Sequence, residues 1–260
     1  MNGTPTPPSA LVPGGPVFVA PQPRPQGRPV GFQRWLRLLF MHWRVDPDVV
    51  QAMLPDGLEV DTFEGETFVG VVPFTMCDVS PWWAPSVPGI SNFLELNVRV
   101  YVKRDGVHGV WFSSLEAASS LAVLVARLVW SLPYHRATMR MDADGDRVRY
   151  ASQRRWPGPP RADFECDYRV GRPRGTAELG SLEHFLLERY ALFARRRDGS
   201  LALGRVHHEP YPFHDAEVLS LHQSMTSVNG FPGCDGLPDL VHWSPGVDVD
   251  IYALEPVTGR

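Results

Sequence analysis

Glu95, Asn97, Arg99 and Tyr101 occupy every second position of the run Phe93-Leu-Glu-Leu-Asn-Val-Arg-Val-Tyr-Val-Lys103. Successive side chains of an extended strand point to opposite faces, so these four share one face. A carboxyl, a carboxamide, a guanidinium and a phenol in one row can hold a carboxylate or carbonyl and move a proton at it. The opposite face is Leu94, Leu96, Val98, Val100 and Val102, without a break. Two readings compete for the polar row. It is the solvated outside of an antiparallel sheet, or it is the inner wall of a barrel, where Glu95 and Arg99 pair around a polar pocket. The residue types tilt toward the pocket.

Other candidates are less selective. The next run adds Trp111, Ser113, Ser114 and Glu116, which a half-buried strand end explains equally well. Tyr134, His135 and Arg136 cluster just past a helix terminus, where a cation also complements the helix dipole. His207 and His208 are neighbours on an extended segment, so they point apart and cannot easily share one ion. His214, His222 and His242 are scattered, and no metal site is expected. The chain has no glycine-rich phosphate loop, no Gly-x-Ser-x-Gly elbow and no Cys-x-x-Cys.

Several elements must position these groups. Leu36–Val45 reads as a strand, and Asp46-Pro47 as an N-cap followed by proline at N1 of a short helix. Hairpins are expected for Leu58–Phe63 with Glu66–Met76, Phe93–Lys103 with Val107–Glu116, and Tyr134–Asp142 with Arg147–Arg155. Phe164–Val170 alternates strictly. Arg197-Asp198-Gly199 turns another hairpin into Leu201–His208, and a last strand falls near Val247–Leu254. Helical spacing marks Ser119–Ser131 and Ser181–Phe193. Hairpins with two main helices and no strand–helix alternation argue against a doubly wound sheet. The expected fold is α+β, mostly antiparallel β, as one domain over residues 31–256, closed as a barrel or stacked as a sandwich.

Composition narrows the function classes. The 260 residues carry a net charge of −4, which gives no electrostatic case for nucleic acid or an anionic membrane. No apolar run reaches the length of a membrane span. Residues 1–30 are rich in proline and read as a disordered or polyproline tail, without the charged and apolar regions of a secretory signal. Such a tail could also carry partner contacts in an aromatic groove. Cys77, Cys166 and Cys234 are odd in number and far apart, which suits reduced thiols in a cytoplasmic protein. Only one of the 25 basic lysine and arginine residues, Lys103, is a lysine. Imine chemistry therefore has a single candidate.

A set of segments then stands in one order: Phe40-Met-His-Trp43, Leu54-Pro-Asp-Gly-Leu58, Gly70-Val-Val-Pro-Phe74, Glu95-Leu-Asn-Val-Arg-Val-Tyr101, Gly109-Val-Trp-Phe112, Leu132-Pro-Tyr134, Leu187-Glu-Arg-Tyr190 and His208-Glu-Pro. Together they resemble the YqjF-like family of uncharacterised proteins, within the acetoacetate-decarboxylase-like superfamily. The resemblance spans residues 31 to about 254. It implies a closed β-cone or barrel with a few packed helices outside and a pocket inside. The superfamily's founding activity uses a buried lysine that forms a Schiff base with a β-keto acid. The matching segment here is Leu132-Pro-Tyr-His-Arg136, which puts Tyr134 where the nucleophile would stand. Lys103 abuts the Arg104-Asp105-Gly106 turn and is no substitute. The resemblance also implies a Glu–Arg pair for holding a carboxylate or setting proton transfers, a role Glu95 and Arg99 would fill, with Glu116 and Arg127 in reserve.

Two functional classes follow. One is a cytoplasmic small-molecule-binding protein without the Schiff-base lysine, taking a small carboxylate, carbonyl or aromatic compound. The other is an enzyme of lyase, hydratase or isomerase type on small oxo acids, with Glu95 as acid/base, Arg99 orienting the anion and Tyr134 donating to an oxyanion. In both, Asn97, Tyr101, Trp111, Ser113, Glu116, Arg127 and His135 would contact the ligand. No cofactor is expected, and a homo-oligomer is possible.

Overall fold

A computed structural model describes residues 23–87, 90–158 and 160–257. Most of the proline-rich segment, residues 1–22, lies outside the described residues. The chain runs through β1 (Gly31–Val45), α1 (Pro47–Met53), the short β2 (Glu59–Val60) and β3 (Thr67–Pro81). The hairpin of β4 (Phe93–Arg104) and β5 (Val107–Ala117) follows, then α2 (Ser120–Val129) and the hairpin of β6 (Tyr134–Asp144) and β7 (Arg147–Trp156). Next come β8 (Asp163–Gly175), α3 (Leu182–Leu187), β9 (Ala191–Arg195) and β10 (Leu201–His207). β11 (Phe213–Gln223), the single turn α4 (Met225–Val228), β12 (Leu240–Ile251) and β13 (Glu255–Pro256) complete the described fold.

All thirteen described strands belong to one sheet. Pairing closes it into a ring, β4–β5–β6–β7–β8–β11–β12–β1–β3 and back to β4. All pairings are antiparallel except β5–β6 and β5–β9. A second circuit leaves β5 through β9 and β10 and rejoins at β12. Because of it, β1, β3 and β4 are covered on both faces. Leu39, Met41, Val69, Val71 and Val98 belong to the main apolar core, while their alternates Leu38, Phe40, Val72 and Phe74 belong to a second one. This explains why β1 and β3 read as near-continuous apolar runs and not as alternating ones.

Local signals account for the elements. Asp46 caps α1, its side chain accepting from Asp48 N, with Pro47 at the first helical position. The β4–β5 turn needs positive φ at both central residues, and Asp105 (49°) and Gly106 (75°) supply it. Ser119 caps α2, accepting from Ala122 N.

Three expectations are corrected. Leu58–Phe63 does not form a full hairpin with Glu66–Met76: only the Phe63–Glu66 bridge forms, and β2 pairs with β4 instead. The helix expected over Ser181–Phe193 ends at Leu187. Its Ser181 cap is present, but the buried Glu188 carboxylate accepts from Tyr211 N and Tyr190 Oη, turning the chain so that Ala191–Arg195 pairs as a strand. β11 had no expected counterpart because Phe213–Gln223 mixes charged and apolar residues along a largely exposed strand. Among the described residues, no helix is long and apolar enough to cross a membrane.

Candidate functional site

The polar row of β4 is not a wet surface. Glu95 is 2% exposed, Asn97 7%, Arg99 8% and Tyr101 0%. Glu95, Asn97 and Arg99 line a cavity of about 230 Å³ enclosed by β1, β3, β4, β5, β9 and β10, with the inner side of α2 across it. Most of the wall is apolar, including Phe74, Phe93, Phe112, Trp130 and Leu187. A few convergent polar groups in an apolar wall is the usual composition of a small-molecule site.

Glu95 and Tyr134 form one end of the polar wall. The Tyr134 hydroxyl donates to Glu95 Oε2 at 3.0 Å, and both groups are buried. Burial pushes the Glu95 carboxyl up to about 8, opposed by the Tyr134 hydrogen bond and reinforced by the charge of Glu116. At pH 7 this favours the neutral acid. Burial, with the adjacent Glu95, also raises the Tyr134 phenol well above its ordinary value.

Arg99 and Tyr101 form the other end. Arg99 Nη2 donates to Leu186 O at 2.9 Å, and its guanidinium lies over the rings of Phe40 and Tyr101. The Tyr101 hydroxyl also donates to Leu186 O, at 2.8 Å, and lies 2.7 Å from His42 Nε2. Burial, and then the charge of Arg99, hold His42 well below the usual imidazole range. No carboxylate among the described residues pairs with Arg99. Its Nε and the Asn97 Oδ1 are both buried without a hydrogen-bond partner.

The remaining candidates divide. Tyr101 stands behind Arg99, in contact with Arg99 and His42, without lining the cavity. Trp111, Ser113 and Glu116 face away from the cavity. Trp111 does so with its partner Val100, and a bulge in β5 turns Glu116 the same way: Val98 pairs with Ser114 and Arg99 with Phe112, so Ser113 is one residue too many. The extra residue leaves Phe112 and Leu115 on the cavity side, and Trp111, Ser114 and Glu116 on the other. There, Glu116 pairs with Arg154 and accepts from Ser114 Oγ at 3.3 Å. Burial raises Glu116 to about 7 despite that partner. Trp111 and Ser113 border a separate cleft beside α1 and α4. His135 is opposite Glu116 in the β5–β6 register, so it too faces away, and burial with Arg154 and Arg127 nearby pulls it down to about 4. Arg127 donates to the Tyr134 carbonyl at 2.6 Å and lies over Trp156, holding the α2–β6 junction and not the cavity wall.

Arg189 joins the site from a segment that gave no site residue on sequence grounds. It lines the cavity, donates through Nη1 to Asp61 at 2.7 Å, and Asp61 is also 2.9 Å from His108 Nδ1. The available signal was a Glu188-Arg189 pair inside the apolar stretch Phe185–Phe193. Lys103 is half-buried at the far end of β4, in register with His108 and Glu59, and does not line the cavity. Among the described residues, no three His, Cys, Asp or Glu side chains group as a metal site.

The sequence profile of DUF2071, a family of uncharacterized conserved proteins, matches residues 32–248. The chain belongs to this family. A DUF2071 chain of this kind is 35% identical over 230 residues to the uncharacterized protein YqjF of Bacillus subtilis (strain 168), covering 88% of this chain and 93% of that one. Solved structures with the same fold include an acetoacetate decarboxylase from Legionella pneumophila (TM-score 0.58, 17% identity, 92% of each chain). An acetoacetate-decarboxylase-like enzyme from Sphingomonas wittichii RW1 gives a TM-score of 0.62 at 14% identity, over 89% of this chain and 94% of that one. The enduracididine biosynthesis enzyme MppR, complexed with pyruvate, gives 0.60 at 13% identity, over 90% and 92%. This DUF2071 member therefore has the acetoacetate-decarboxylase-like fold that its motif order implied, and several proteins sharing that fold are enzymes.

Proposed function

We propose that the cavity binds a small carboxylate with a carbonyl or aromatic body, foremost an oxo acid, without forming an imine. The observation that carries this reading is Arg99. A buried guanidinium with no acid partner is costly to fold, and an anionic ligand would supply the missing charge. Arg189, by contrast, is already neutralised by Asp61. Among the described residues nothing donates to Asn97 Oδ1, which can accept from a ligand, and the protonated Glu95 can donate to a carbonyl. Phe93, Phe112 and Trp130 would cover the apolar body. The pyruvate complex of the structural neighbour MppR supports an oxo acid as the ligand class. Thermal shift across matched acids and amides tests the reading: the acids should raise Tm and their amides should not, and Arg99→Met should abolish the difference. Equal shifts for acids and amides would sink it.

A second reading, turnover by proton transfer, is favoured by one observation. Glu95 at about 8, bonded to Tyr134, lies near the operating pH of a general acid/base. Glu95→Gln separates the two: it should preserve binding in either case, and abolish product formation only if the cavity is catalytic.

A further inference from the structure

Helix α2 has the wrong side out. Leu121, Leu124, Val125, Leu128 and Val129 are 45–63% exposed and follow i, i+3, i+4, i+7, i+8 spacing, an unbroken apolar stripe. Spacing of this kind normally faces a core. Here the core side of α2 is taken by Val123, Ala122 and Ala126, and apart from the edge of Val125 on the cavity no other described residue is packed under the stripe. Trp156, 53% exposed, flanks the helix on the side of Arg127, whose guanidinium lies over its ring. Arg127 is also the only charge in the ten-residue helix, and it is turned inward to the Tyr134 carbonyl.

We propose that this stripe is the interface between two copies of the chain, packed α2 against α2 about a two-fold axis. Five half-exposed aliphatic side chains amount to roughly 300 Å² of apolar surface per copy. That is the size of the apolar centre of a standard interface, which buries about 800 Å² a side. The stripe holds no charge that would repel its own image, so it is self-complementary, as a two-fold contact requires. Its midpoint is near Leu124 and Val125. Ala122, Val125 and Ala126 of the same helix line the Glu95 cavity, so the partner helix would close the outer side of the cavity's α2 wall.

The full chain is tested by light scattering after size exclusion, at about 1 to 100 μM. A dimer is expected, reduced to a monomer by Leu124→Glu and, separately, by Leu128→Glu, with circular dichroism and melting cooperativity unchanged. Leu124→Cys should give a covalent dimer on mild oxidation while the unsubstituted chain does not. A chain lacking residues 1–22 should remain dimeric. A monomeric full chain throughout the range would overturn the proposal. A monomer that binds a hydrophobic dye only after residues 1–22 are removed would also overturn it, and would assign the stripe to the chain's own N-terminal segment. Neither outcome depends on what the cavity binds.

Discussion

Tyr134 Oη donates to Glu95 Oε2 across 3.0 Å, and no other hydrogen bond reaches that carboxyl among the described residues. A buried acid held by one donor stays protonated unless something in the cavity changes its surroundings. Removing the donor should push it further the same way. Tyr134→Phe is expected to raise the Glu95 titration above about 8, because the hydrogen bond favours the ionised form. Carboxyl infrared difference spectra against pH, with Glu95→Gln as the blank, would show this. An unchanged or lowered midpoint would contradict the assignment.

The same carboxyl makes stability depend on pH in a defined sense. Its folded value of about 8 lies above the ordinary 4.5, so the native state keeps a proton that the unfolded chain releases. The contribution is fully present below pH 4.5 and is lost as pH rises through about 8. Relative to Glu95→Gln, the unsubstituted protein should therefore weaken across this window, by up to ~1.4 kcal/mol per pH unit. Urea titrations of both proteins at several pH values give the slope directly. A difference independent of pH would mean Glu95 is not protonated in the fold.

Arg99→Met is expected to leave the unliganded protein as stable as before, or more so. The substitution removes a buried charge without an acid partner and keeps an apolar side chain of similar reach. Binding of carboxylates should fall at least tenfold. A large loss of Tm without ligand would show that Arg99 has a protein counter-charge after all.

Across the sheet the balance is reversed. Glu116 and Arg154 are buried together, so removing one strands the other. Glu116→Ala, which leaves the Arg154 guanidinium charged and buried, should cost about 3–5 kcal/mol in chemical denaturation. The double substitution Glu116→Leu with Arg154→Met should recover most of it. A single substitution costing under about 1 kcal/mol would mean the pair is solvated.

Sodium borohydride with oxo acids should leave the intact mass unchanged. The one lysine, Lys103, is at the end of β4 beside His108 and Glu59, outside the cavity lining. A reduced adduct on Lys103 would restore imine chemistry to this protein.

The β4 row was legible because one strand's alternation reports its own two faces, and both faces proved buried. The roles around it were not legible, because they depend on neighbours. Trp111, Ser113 and Glu116 were named for their residue types on the partner strand, and a strand read alone reveals neither its register nor a bulge in its pairing. Arg189 reaches the cavity only because the Glu188 carboxylate ends α3 early through contacts with Tyr190 and Tyr211, one of them 23 residues away in sequence. The α2 stripe was read correctly as helical, yet its spacing carries no information on which partner covers it.

The extra residue in β5 acts like a shift of reading frame for side chains. Everything from Ser114 onward presents its faces one step out of phase with the residues before it. If Ser113 were instead drawn into the ladder opposite Val98, Ser114 would fall opposite Asn97 and Glu116 opposite Glu95, and the inner and outer faces of Ser114–Ala117 would exchange. Two acids would then share one cavity, and Arg154 would be left unpaired behind the sheet. One unpaired residue thus sorts the two carboxyls of this fold into separate compartments.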